Sequence, residues 1–233
     1  MNIYELAFAS YIYSGIEDFD KTYKDFLTRI KNDPDMSIKA NRQALIDWLN
    51  DWGCRNFYIK YHELASKGLY EWYQEYGSYL PERTKNIWDF KLSDLNTIQV
   101  LYDSLTIKVA SYAEDKNGNI KTNTFGHTPS SKILFALRPK GFIPWDGEMR
   151  KVFKYNYKIT SYKDFLVKVI DEINELRISC QKNNFELKDI PTKLNKSYAT
   201  IPKLVDEYHW ITIARKCEIP TSKTLKAWLK WNS

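Results

Sequence analysis

Cysteine is scarce. The three residues Cys54, Cys180 and Cys217 are far apart in 233 positions, and no CxxC pair occurs. That excludes a disulfide framework and any iron–sulfur or zinc site built on four cysteines. Histidine is equally sparse, at His62, His127 and His209, so neither a structural metal nor a cofactor is expected. No apolar run approaches the 18 or so residues that a membrane span requires. The opening Met1–Gly15 carries Glu5 and lacks a basic start, unlike a secretory signal. These absences together give a cytoplasmic expectation. With only 8 Gly and 8 Pro, the chain is neither loop-rich nor of low complexity. Strand patterning is nearly missing as well.

What the sequence does have is aromatic side chains and unevenly placed charge. Tyr, Phe and Trp make up 15% of the residues, enough for a large core and for stacking platforms besides. The net charge is +6, which favours an anionic partner such as nucleic acid. Between Lys116 and Lys158, nine basic residues face only Asp146 and Glu148, a local net of +7. The first 35 residues instead hold seven acids against four bases.

Helical spacing dominates, so the expected class is mainly α. Helices are expected at Asn2–Ser14, Asp18–Lys31, Ser37–Trp52, Phe57–Tyr76 and Leu92–Ala110. The Glu114–Asn119 turn cluster suits either a surface loop or a short β-hairpin. Thr128-Pro129 reads as a cap and first-turn proline opening a helix to Leu137. Pro139, Gly141 and Pro144 mark an ordered loop, after which Asp146 caps a helix to about Tyr155. Further helices are expected at Ser161–Gln181, Ile201–Lys216 and Ser222–Trp231. No linker or repeat divides the chain, so 1–233 reads as one helical domain.

Phe125–Lys151 carries the chemistry. Backbone amides ahead of Pro129 and Ser130 sit at a helix N-terminus, where an anion such as phosphate is favoured. Lys132, Lys140, Arg150 and Lys151 surround the unit as candidate backbone contacts for nucleic acid. Asp146 is the carboxylate at the centre of this patch. On spacing alone it is an N-cap, a position where aspartate stabilises by about 1 kcal/mol over alanine.

The stretch resembles the hairpin-to-aspartate segment of the helix-hairpin-helix DNA glycosylase superfamily, over about 30 of the 233 residues (roughly 124–155). Gly126-His127-Thr128 falls on the hairpin, Ser131–Leu137 on the following helix, and Trp145-Asp146-Gly147 on the aspartate turn. Trp145 through Val152 looks especially similar to the adenine-glycosylase branch. The resemblance implies a two-lobed helical bundle with an active-site cleft between the lobes. It implies base flipping from double-stranded DNA and base excision, with Asp146 catalytic and Gly126, His127, Thr128, Ser130, Ser131, Lys132, Lys140, Arg150 and Lys151 at the DNA. Being a cap and being catalytic are compatible, because the cap fixes the carboxylate.

Members with lyase activity place a Schiff-base lysine where this chain has Ser130, so a monofunctional glycosylase is expected. Thr128 replaces the hairpin's second glycine, and the cysteines of the iron–sulfur members are missing. In place of the family's wedge motif stands Trp48–Asn56, in which Trp52, Arg55 and Asn56 are candidates for the base pocket and wedge. Trp145 is a candidate pocket wall, with core packing as its alternative. By analogy alone, these departures point to an unusual substrate, such as a hypermodified cytosine in phage DNA, and so to antiviral defence. No membrane and no obligatory protein partner are expected. The alternative is a non-catalytic helix-hairpin-helix module that binds DNA.

Overall fold

The structure, a computed structural model, describes residues 1–16, 18–114 and 116–229. It is mainly helical. The elements are α1 (Ile3–Ile16), α2 (Phe19–Arg29), α3 (Lys39–Asp51), α4 (His62–Tyr76), α5 (Leu92–Thr106), β1 (Val109–Glu114), β2 (Ile120–Thr124), α6 (His127–Leu137), α7 (Gly147–Tyr157), α8 (Tyr162–Gln181), the short α9 (Ile190–Lys193), α10 (Ile201–His209) and α11 (Ser222–Leu229). A π-helical turn, Trp210–Ala214, continues α10. The expected helix Ser222–Trp231 is seen as far as Leu229, and its last two residues lie outside the described residues. No helix of the described residues is long and apolar enough to cross a membrane.

Local chemistry explains most boundaries. Ser161 caps α8 by accepting the Asp164 amide at 3.1 Å, and Thr200 caps α10 in the same way. α5 starts at Leu92, as expected, and the Asp94 carboxylate secures that start by accepting the Lys91 amide at 2.7 Å. It stops at Thr106, short of the expected Ala110, because Val109 already pairs in β1. α4 opens at His62 rather than Phe57, since Phe57 turns into the core and Ile59–Tyr61 form a 3₁₀ turn. Of the two readings of the turn cluster the β-hairpin holds, because the flanking β1 and β2 pair antiparallel.

That hairpin is an excursion whose two ends are stitched together. The Phe125 amide donates to Lys108 O at 2.7 Å, and the Gly126 amide donates to Thr106 O at 2.9 Å. α5 therefore passes into α6 through a tight junction at Gly126, whose φ of +69° suits glycine. α6 lies in the middle of the fold. From Pro129 to Leu137 all but Lys132 are buried, so it is enclosed nearly all round. The core is one extensive cluster running from α1 to α10, with a small second cluster at Ala9, Tyr13 and Ile211.

Candidate functional site

The loop from α6 to α7 is anchored before it reaches Asp146. Gly141 packs so close to Phe90 that an added Cβ lies 2.9 Å from its ring, so a larger residue forces the ring or the loop to shift. Tyr162 donates its hydroxyl proton to Ile143 O at 2.7 Å, and the Trp145 amide donates to Ser131 Oγ at 2.8 Å. Arg150 then bonds both Thr128 Oγ1, at 3.0 Å, and Trp145 O, at 3.1 Å. The first turns of α6 and α7 are thereby tied across the loop. Asp146 is extended (φ −79°, ψ 177°) and its Oδ1 accepts the Met149 amide at 2.8 Å. The expected cap is present, and it holds the carboxylate in one orientation.

Ser131 is the buried keystone of this arrangement. Ser131→Ala leaves the Trp145 amide without its acceptor, which costs about 1–3 kcal/mol. Urea unfolding of the variant against wild type measures it.

Asp146 faces a cavity of about 560 Å³, within the range of small-molecule sites. One wall is aromatic. Tyr13 and Phe19 meet Trp210 edge-on at 5.3 and 5.9 Å, and Trp52 lies 6.2 Å from Phe19. Lys132 reaches in from α6, lies over the Trp52 ring and donates to Trp52 O. Arg55 and Arg150 line the same cavity, with Arg55 exposed. Asn56 also lines it, and its amide donates to Thr124 O and Phe125 O at 3.1 and 3.3 Å. Cys54 is buried there, which pushes its thiol up despite Lys132, so it is not a thiolate nucleophile.

The sequence-predicted residues divide into three groups. Asp146, Trp52, Arg55, Asn56, Gly126, His127, Thr128, Lys132 and Arg150 converge on the cavity. Ser130 and Ser131 are fully buried, and their hydroxyls donate to Gly126 O and Thr128 O. The expectation that they touch DNA is corrected: they face the interior because α6 is enclosed. Trp145 is likewise core rather than pocket wall, stacked on Phe165 at 5.0 Å with an interplanar angle of 8°. Lys140 lies along a separate groove with Tyr23 and Pro139, and Lys151 is exposed and paired with Glu148. His127 is exposed, but one ring face lies on Tyr102, whose hydroxyl is 3.0 Å from Nδ1. Burial of that face, helped by Arg150, holds the imidazole below its ordinary value and so neutral at pH 7.

Two further carboxylates line the cavity, the exposed Glu148, which pairs with Lys151, and a buried one, Asp206, that the sequence reasoning missed. Asp206 lies on α10, is only 6% exposed, and lines the cavity together with Asp146. Behind it sits a buried ion cluster. Lys203 pairs with Asp20 and Glu207 at 3.2 and 2.7 Å, and Lys196 pairs with the same two acids at 2.9 and 2.8 Å. Two cations and two anions compensate one another there, leaving no lysine uncommitted for Asp206. Burial, reinforced by the Asp146 charge and only partly offset by Lys203, pushes the Asp206 carboxyl up to about 7. The only sequence signal for this was three charged residues, Lys203, Asp206 and Glu207, on a helix with apolar neighbours. Among the described residues, no group of three or more His, Cys, Asp or Glu side chains is placed to hold a metal ion. Comparison of the chain with protein-family models, curated proteins and solved structures finds no match.

Proposed function

We propose that the chain is a monofunctional DNA glycosylase. It hydrolyses the N-glycosidic bond of a modified or damaged base flipped out of double-stranded DNA and leaves an abasic site. The observation that carries the reading is Asp146: an oriented carboxylate in an aromatic-walled cavity edged by Lys132, Arg55 and Arg150. A flipped base stacks on aromatic rings, cations receive the flanking phosphates, and the carboxylate faces the sugar as positive charge develops at C1′. The stitched α5–α6 junction at Gly126 supports the helix-hairpin-helix assignment, with the β-hairpin as an excursion from it. A cavity of about 560 Å³ suits an enlarged base, and a glycosylated hydroxymethylcytosine of phage DNA is the substrate we favour. The reading makes the protein a cytoplasmic agent of antiviral defence.

Free-base mass spectrometry tests this. Wild-type protein is incubated with genomic DNAs, including phage DNA with modified cytosines, and the released bases are identified. Release of one base with alkali-labile abasic sites is the expected result; no release from any DNA overturns it. Borohydride adds a second arm. With Ser130 buried and Lys132 held on Trp52 O, no protein–DNA adduct is expected. An adduct that disappears in Lys132→Met shows a lyase instead.

The non-catalytic alternative is favoured by one observation, the Met149 amide on Asp146 Oδ1, which is all that a structural cap needs. Both readings predict salt-sensitive binding to duplex DNA. Because Arg55 is exposed beside the cavity, Arg55→Ala is expected to lower the slope of log affinity against log salt by about 1, read by fluorescence anisotropy.

A further inference from the structure

We infer that Asp206 is the proton donor to the departing base, acting with Asp146 in one cavity. The inference rests on the glycosylase reading and assigns the second half of its chemistry. Asp206 and Asp146 reach the same space from different elements, α10 and the start of α7. Their surroundings differ. Asp146 is partly exposed and bonded to a backbone amide, an environment that suits an anion. Asp206 is buried, and the lysines behind it are already matched by Asp20 and Glu207. Two carboxylates in unlike environments divide into an acid and a base.

The groups facing Asp206 come from five elements. Lys203 and His209 are on its own helix, Lys132 is on α6, Tyr13 on α1, Tyr162 on α8, and Asp146 at the start of α7. The lysines and His209 favour its ionised form, the Asp146 charge opposes it, and burial outweighs the cations. Burial also keeps the Tyr13 and Tyr162 hydroxyls protonated, so neither is a competing anion.

The step balances. The C1′–N bond breaks with its electron pair going to the base nitrogen, and the Asp206 carboxyl proton moves to the leaving base. Water forms the new C1′–O bond and gives a proton to the Asp146 carboxylate. That proton returns through solvent to Asp206, and both groups are restored. No oxidant, reductant or metal is required.

Single-turnover base release is measured against pH for wild type, Asp206→Asn and Asp206→Glu. The substrates are duplex oligonucleotides carrying glucosylated hydroxymethylcytosine, hydroxymethylcytosine, uracil, or adenine opposite oxidised guanine. Wild type is expected to slow as pH rises through about 7, where Asp206 gives up its proton. Asp206→Asn is expected to lose about 10²-fold or more and to lack that alkaline limb, while Asp206→Glu retains it. Asp206→Asn with the wild-type rate and profile overturns the assignment and leaves the glycosylase reading standing. No release by wild type from any of these duplexes or from the genomic panel overturns both. If Asp206→Asn does not fold, wild type decides alone, because a rate that does not fall through neutrality leaves no role for a proton held by Asp206.

Discussion

On the proposed glycosylase reading, Asp146→Asn is expected to slow base release by about 10²–10³-fold while the protein stays folded and bound to DNA. Asparagine caps helices as well as aspartate does, so its side-chain oxygen still accepts the Met149 amide. The loop that delivers residue 146 does not depend on the carboxylate either, being held by Ser131, Tyr162 and Arg150. Stability is therefore expected to change by less than about 0.5 kcal/mol. On that reading, what is lost is the negative charge that would face the sugar cation, and removal of one oriented electrostatic group of this kind costs about 10²–10³-fold in rate. Asp146→Ala separates the two roles, because it removes the charge and the cap and adds about 1 kcal/mol of destabilisation. Single-turnover release and thermal unfolding of both variants are the measurements. Asp146→Asn within a few-fold of wild type sinks the catalytic role and leaves only the cap.

The cap at Asp146 was visible in the sequence because capping is local. A Trp-Asp-Gly step after a proline-rich loop has few other readings, and the Asp146–Met149 bond spans three residues. The same holds for Ser161 at the head of α8. The fate of Ser130 and Ser131 was not visible. Small polar residues in a first helical turn suit a ligand or a buried face equally well, and only the packing of α6 against its neighbours decides. Arg55 and Asn56 had a plausible role but no fixed place. They reach the cavity because the Asn56 side chain bonds the backbone at Thr124 and Phe125, more than 60 residues on. Contacts of that separation leave no trace in local periodicity.

Asp206 was hidden for a different reason. Lys203 and Glu207 stand four apart, the spacing of an ordinary solvent-facing ion pair. Read along the helix, they imply a polar face on which Asp206 is unremarked. The structure buries that face against α1 and the start of α2, and Asp20 and Lys196 arrive from outside the helix to complete the charges. Burial opposes ionisation of Asp20, yet Lys203 and Lys196 hold it down at about 2. Within one cluster, the paired acid is driven to its anion and the unpaired acid to its neutral form.

The cost of that neutral acid appears as a pH-dependent gain in stability when Asp206 becomes asparagine. An unfolded aspartate titrates near its ordinary 3.8, whereas folded Asp206 titrates at about 7. Below the unfolded value both states are protonated, and Asp206 contributes no pH dependence. Between the two values the unfolded chain has released a proton that the folded protein still holds. Raising the pH therefore favours unfolding throughout that window. Above about 7 both states are ionised and the penalty is constant. The separation between 3.8 and about 7, at about 1.4 kcal/mol for each factor of ten, comes to about 4 kcal/mol. Asparagine cannot ionise, so Asp206→Asn is expected to gain on wild type by about that amount between acid and mildly alkaline pH. Comparing the two proteins at each pH cancels whatever constant effect the amide has beside Lys203. It also cancels Asp20, whose stabilisation is fully present above 3.8 and is lost only as pH falls toward about 2. Urea unfolding of both proteins at several pH values is the measurement. A stability difference that stays flat with pH shows that Asp206 titrates as an ordinary aspartate, and it removes the physical basis for a proton held at that position.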